Sequence, residues 1–365
     1  MWTSKERVLA LVSHEEPDRI GIGYSSAFEV HRKLKDFLGV DDRALIERLG
    51  VDLRYVSPKI KHKASELCYA DPTVEVTEKG VLRDIWGVGF VRKETSVGTD
   101  IQLVFRPLRS VNNLKELEEY PWPTADLWDY SEIPLQIERV KDYAVFAHSR
   151  GFFEISWFMR GMDNFMVDLS LNPKLACALM DKVKKYLINK LIRILEAGGG
   201  RIDFVELNDD VGGQNGLLVS PDMWCKYIKT RMAEMIDIAH SYRAKVMYHS
   251  CGSVRDIMPD LIEIGVEILN PVQPRAKGMK PKELKRDFGD KITLYGTIDE
   301  QETLPYGSPE DVKREVLERI SYLAPRGGFI ISPCHSIQPD TNVENTMSLY
   351  DTALIYGKYP INNSF

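Results

Sequence analysis

The sequence predicts an α/β fold, a TIM-like (β/α)8 barrel carrying an inserted antiparallel β excursion near residues 73–106. From about residue 144, short β-branched runs alternate with long amphipathic stretches, the pattern of βα units around a parallel sheet. The strand candidates are 144–148, 202–207, 244–248, 266–270, 291–295 and 328–332, and the earlier runs 19–24 and 51–56 bring the number to eight. The stretch TVEVTEKGVLRDIWGVGFVRKETSVGTDIQLVF breaks that rhythm. Lys79-Gly80 and Gly98-Thr99 read as turns between its β-rich segments, so it is an excursion rather than a barrel unit.

The connecting segments carry helix signals. Helices are expected at 4–13 and 29–49. Pro173 opens a helix that runs to Ala197 before Gly198-Gly199-Gly200 stops it. Ser220-Pro221 opens one reaching about His240, Ser253 can cap a shorter one ending at Gly265, and Ser308-Pro309 opens one running to Ala324. No repeat and no low-complexity linker divides the chain, so residues 1–365 read as one domain with an insertion. Local periodicity fits a doubly wound open sheet equally well. The dinucleotide fingerprint of that fold is missing: Gly87-Val-Gly89 lacks a third glycine at Arg92 and reads as a hairpin turn.

Composition narrows the function classes. The 365 residues are 44% hydrophobic and 28% charged, as in folded enzymes. Lys plus Arg number 48 against 54 Asp plus Glu, a net charge of -6 with no cationic excess for a phosphate backbone, so nucleic acid is not an expected partner. Five scattered cysteines suit a reducing compartment. The N-terminus lacks the long apolar run of a signal peptide and no segment approaches the ~20 apolar residues of a membrane span. A cytoplasmic protein without a membrane partner is the expectation.

In barrels of this kind the reactive groups collect where strands end. His249-Ser250-Cys251 follows one strand and Cys334-His335 another, while Glu206, Asp209 and Asp210 end or follow a third. On an extended segment His249 and Cys251 point the same way, and Cys334 can meet them when the barrel closes. One histidine and two cysteines suit Zn²⁺ with a fourth position open. Spacing alone leaves open two buried cysteines beside a hydrogen-bonded histidine. Asp209 and Asp210 read as a ligand, a contact orienting His249 or the substrate, or acids capping a turn. Glu206 is a further ligand or acid-base candidate, or a paired interior charge. His335 should point away from Cys334 into a supporting or core role, and Tyr248 and Gln338 are candidate pocket walls. Cys68, Cys177 and Cys225 have no ligand partners nearby in sequence. Trp157, Phe158 and Trp224 either line an apolar funnel or pack helices, and packing is the cheaper account.

The segments MYHSCGSVRDIMPDLIEIGVEILNPVQP, YGTIDEQETLPYGSPEDVKREV and GGFIISPCHSIQPDTNVENTMSLYDTA, with SKERVLALVSHEEPDRI at the N-terminus, resemble the uroporphyrinogen decarboxylase superfamily, and within it the zinc-dependent cobamide methyltransferase branch. The resemblance is densest from about 200 to 350. It places that branch's H-x-C…C zinc signature on His249, Cys251 and Cys334. The decarboxylase's own RQAGRY motif is absent; the corresponding region reads IGIGYSSAFEVHRKL, without the arginines that answer a porphyrinogen's carboxylates.

The resemblance implies a zinc-dependent methyltransferase moving a methyl group between a cobalamin and a thiol or methoxylated small molecule. The corrinoid would ride on a separate carrier protein, because this chain has no DxHxxG carrier motif. Two other readings compete. One is a metal-free decarboxylase or lyase of the superfamily acting on a small carboxylated substrate. The other is a non-catalytic corrinoid- or tetrapyrrole-binding protein. The length of the insertion suggests a role in covering the barrel mouth or in forming a homodimer.

Overall fold

The computed structural model describes residues 2–61, 67–68, 71–95 and 98–361. Eight strands form one parallel sheet: β1 (Gly21–Ile22), β2 (Leu53–Val56), β3 (Ala144–Arg150), β4 (Phe204–Asn208), β5 (Lys245–His249), β6 (Ile268–Val272), β7 (Thr293–Ile298) and β8 (Phe329–Pro333). From β2 to β8 each strand lies beside its successor, and β8 pairs with β1. All eight expected strands are present, within a few residues of their expected bounds.

The seam between β1 and β2 is closed by one residue. Asp52 donates its backbone N–H to the Ile22 carbonyl at 2.9 Å, and its Oδ2 accepts the Ile22 N–H at 2.9 Å. The carboxylate is fully buried, which is tolerable because Arg7 and Arg19 bind it at 2.7 and 2.8 Å. Replacing Asp52 by Ala leaves two guanidinium groups without their shared anion. It is expected to lower the unfolding free energy by about 3–5 kcal/mol, read by chemical denaturation.

Side chains alternate along a strand, and that period of two sorts the barrel interior from its coat. Leu53, Phe146, Phe204, Met247, Ile268 and Ile330 pack together in the lumen, where Phe146 and Phe204 stack at 4.6 Å. Val8 and Val12, on the helix Ser4–Val12, join the same cluster and plug its lower end. Two residues further along these strands, the inward positions become polar: Tyr55, His148, Glu206, His249, Asn270 and Ser332. The same alternation therefore makes both a sealed floor and a polar upper chamber.

The helices differ from expectation in detail. The 29–49 stretch splits into Phe28–Leu38 and Asp42–Arg48 at Gly39, whose φ of 65° a residue with a side chain rarely adopts. The 220–240 stretch is interrupted by a π-helical turn at Cys225–Lys229. Pro173–Gly198 forms as expected, as does Pro309–Leu323, with Ser308 and Asp311 in a reciprocal cap. Ser253 does not cap: its hydroxyl donates to the Lys277 carbonyl, and the short helices begin later, at Arg255 and Met258. Among the described residues no helix is long and apolar enough to cross a membrane.

The excursion is a five-stranded antiparallel sheet, Leu67–Cys68, Asp71–Val76, Leu82–Asp84, Gly89–Thr95 and Gly98–Phe105, so it begins earlier than residue 73. Lys79-Gly80 is a turn and Gly87 lies in the next one, but Gly98 and Thr99 belong to the last strand. The connection at 96–97 lies outside the described residues. The sheet packs beside the barrel: Trp86 meets Tyr186 of the long helix edge-on at 4.8 Å, and Phe90 meets Phe158.

Candidate metal centre

The upper ends of β4 and β5 bring three donor groups together. Asp210, His249 and Cys251 each offer one ligand atom, and these atoms lie within 4.8 Å of one another. His249 Nε2 stands 3.7 Å from Cys251 Sγ and 4.0 Å from Asp210 Oδ1. On its other edge His249 Nδ1 is 2.8 Å from Asn270 Oδ1, an acceptor, so Nδ1 carries the proton and Nε2 presents its lone pair to the cluster.

Backbone contacts hold the loop in place. Asp210 Oδ1 accepts the Cys251 N–H at 2.7 Å, Gln273 Oε1 accepts the Gly252 N–H at 2.7 Å, and Gly213 O accepts the Ser253 N–H at 2.8 Å. Gly252 has a φ of 77°, and a Cβ on it would stand 2.7 Å from backbone atoms of Gly212 and Gly213. A glycine at 252 is thus what lets the Cys251 loop lie against the Gly212-Gly213 backbone. Since a second-sphere partner of a metal-binding histidine typically tunes affinity by about 10–100-fold, Asn270→Ala is expected to weaken metal binding by that factor. Competition with a chelating dye measures it.

The cluster faces a cavity of about 440 Å³ at the mouth of the barrel. Glu154, Glu206, Asn208, Tyr24, Tyr55 and Tyr295 also line it, and among the described residues neither lysine nor arginine does. Burial pushes the Cys251 thiol far above the ordinary cysteine range, and the neighbouring Asp210 and Glu154 charges push it further. Burial also raises the Glu154 carboxyl, against the opposing pull of Arg150 at 3.0 Å.

The expected site residues divide. Asp210, His249 and Cys251 converge, and Glu206 is inward-facing, with Oε1 3.9 Å from His249 Nδ1. Asp209 is elsewhere: fully buried, its carboxylate accepts the N–H groups of Phe153 and Glu154 at 3.2 and 2.8 Å, at the start of the helix Phe152–Arg160. The turn-capping account of Asp209 is the one its contacts match. Cys334 follows β8 at the same rim, but it is 2% exposed and stands outside the three-donor cluster. His335, expected to turn away, lines the cavity instead. The regular strand ends at Pro333, so the alternation that would have sent it outward no longer applies.

Tyr248 is no pocket wall, being fully buried with its hydroxyl donated to the Asp209 carbonyl, and Gln338 does not line the cavity. Trp224 is buried in the coat. Glu154 and Asn270 were not legible as site residues. Asn270 ends an expected strand and Glu154 stands four residues after Arg150, weak signals that gain meaning only once β3, β5 and β6 are placed around one opening.

Against known families, the model described as Uroporphyrinogen decarboxylase (URO-D) matches residues 105–354. The chain belongs to the uroporphyrinogen decarboxylase family. No curated protein matches it. Among solved structures this family member is similar to a methyltransferase from Methanosarcina mazei, at 19% identity and a TM-score of 0.68, over 97% of this chain and 98% of that one. That likeness extends through the whole barrel and its additions, and shows the fold. A dihydropteroate synthase from Anaplasma phagocytophilum with bound 6-hydroxymethylpterin-monophosphate matches 46% of this chain and 66% of its own, at 18% identity and a TM-score of 0.31.

Proposed function

We propose that this uroporphyrinogen decarboxylase family member is a zinc-dependent methyltransferase of a corrinoid system, moving a methyl group between a cobalamin on a carrier protein and a thiol or methoxylated small molecule. The observation that carries the reading is the Asp210–His249–Cys251 cluster opening onto the cavity. Tetrahedral zinc with bonds of about 2.0–2.3 Å sets neighbouring nitrogen and sulfur donors about 3.6 Å apart. The 3.7 Å between His249 Nε2 and Cys251 Sγ fits that edge. Zinc bound there would supply Lewis acidity, favouring the thiolate form of a substrate sulfur or polarising a methoxy oxygen. Cys334, which follows β8 at the same rim, is the further sulfur the motif assigns to the ion.

The surrounding residues supply the rest. Asn270 fixes the tautomer and plane of His249. Asp210 ties the Cys251 backbone to β4. The packed lumen below closes the cavity from beneath, so a substrate enters from the mouth, where a carrier protein can present its cobalt. Among the described residues no lysine or arginine lines the cavity wall, which favours this reading over decarboxylation of a polycarboxylate that needs such charge partners.

The test mixes the protein with methylcobalamin and a panel of thiols, and separately with cob(I)alamin and methoxylated donors, with its carrier protein present. Cobalt absorption follows the transfer. A zinc-dependent change in either direction is expected, and its absence in both would overturn the assignment.

A further inference from the structure

The cavity has a second wall that the metal cluster does not use. Opposite β4 and β5, the rings of Tyr24, Tyr55 and Tyr295 come from or follow β1, β2 and β7, and Glu206 projects between them and His249. Tyr55 is half exposed to the opening. Burial first, and the Glu206 charge with it, push the hydroxyl of the buried Tyr295 above the ordinary phenol range. Ser332 Oγ lines the same cavity.

The three acidic groups of the cavity are not equivalent. Glu154 is neutralised by Arg150, both of them buried. Asp210 belongs to the donor cluster, where a bound divalent cation would offset it. Glu206 lies outside that cluster, and among the described residues no lysine or arginine forms an ion pair with it. Its side chain is only 11% exposed, so the carboxylate is largely removed from water without a fixed positive partner. A largely buried carboxylate in a cavity lined by three tyrosines is an arrangement that selects an ammonium group, by direct charge and by the quadrupoles of rings it can approach.

We propose that the small-molecule substrate of this site is cationic, a protonated or quaternary amine, received by Glu206 and the wall of Tyr24, Tyr55 and Tyr295 while its reacting end faces the Asp210–His249–Cys251 cluster. This names the substrate class of the methyl-transfer reading and rests on it. A carboxylate, phosphate or sulfonate tail would meet Glu206 with no lysine or arginine among the described lining residues to answer it.

The test uses two isosteres that differ in charge alone, choline and 3,3-dimethyl-1-butanol, titrated calorimetrically into the zinc-loaded and the chelator-treated protein. Choline is expected to bind at least about tenfold more tightly in both forms, a ratio in the range of a desolvated ammonium-aromatic contact. Glu206→Gln should bring the ratio close to one while the zinc content stays at the wild-type level. Equal binding of the two probes by the wild type would overturn the proposal. So would a Glu206→Gln protein that loses zinc yet keeps the wild-type ratio, since the carboxylate would then belong to the metal. A charge preference without any methyl transfer would support the amine site and count against the transferase reading alone. Transfer that favours anionic over cationic thiols of equal length would do the reverse.

Discussion

Cys251→Ala is expected to strip the protein of most of its zinc, with an effect larger than the about 10–100-fold that loss of a supporting hydrogen bond costs a metal site. The substitution removes the only sulfur of the three-donor cluster, leaving one imidazole and one carboxylate, too few to hold zinc against buffer ligands. The fold should survive it. Cys251 lies beyond the last residue of β5, its backbone N–H remains free to donate to Asp210, and alanine adds no atom to a loop whose tight approach is at Gly252. Metal analysis of protein purified without chelator, beside a circular dichroism melt, separates the two effects. Wild-type zinc in both Cys251→Ala and Cys334→Ala would remove the cysteines from the site altogether.

The floor of this site was legible in the sequence and its walls largely were not. Most barrel strands are short, buried runs carrying β-branched residues, and such runs stand out against the long amphipathic helices between them. Even β1, two residues long, lay inside the expected 19–24 segment. His249 and Cys251 were found together because a spacing of two on a strand end puts both on one face. The rest depends on which strands become neighbours. Asn270 reaches His249 only because β5 and β6 pair with those two residues opposite one another. The tyrosine wall assembles residues more than 200 positions apart, and no local pattern announces it. Asp52 closes the barrel with a side chain, a role its position in an expected strand did not reveal. Asp209 and Asp210, adjacent in sequence, take opposite roles because one turns down to the first turn of a helix and the other up to the cavity.

Metal binding should release protons, and their number identifies the sulfur ligands. In the metal-free protein burial raises both the Cys251 and the Cys334 thiols above the ordinary range, so each carries its proton at neutral pH. Zinc takes the thiolate, and each sulfur that binds must therefore give up one proton. The sign follows from mass action. Apparent affinity rises with pH, about tenfold per unit for each thiol that ligates, for as long as pH stays below the raised thiol values. Calorimetry in buffers of different ionisation enthalpy counts the protons, and the difference between the wild type and each Cys→Ala variant separates the thiols from a zinc-bound water. The Asp210–His249–Cys251 cluster by itself predicts one proton. The set that includes Cys334 predicts two, with a hundredfold change in affinity per pH unit, and Cys334→Ala should then reduce the count to one. Recruiting Cys334 requires its buried side chain to turn toward the cavity. A difference of two thiol protons would therefore show that the ion completes its own site by drawing in the residue after β8, and a difference of one that a single thiol binds, as the Asp210–His249–Cys251 cluster requires.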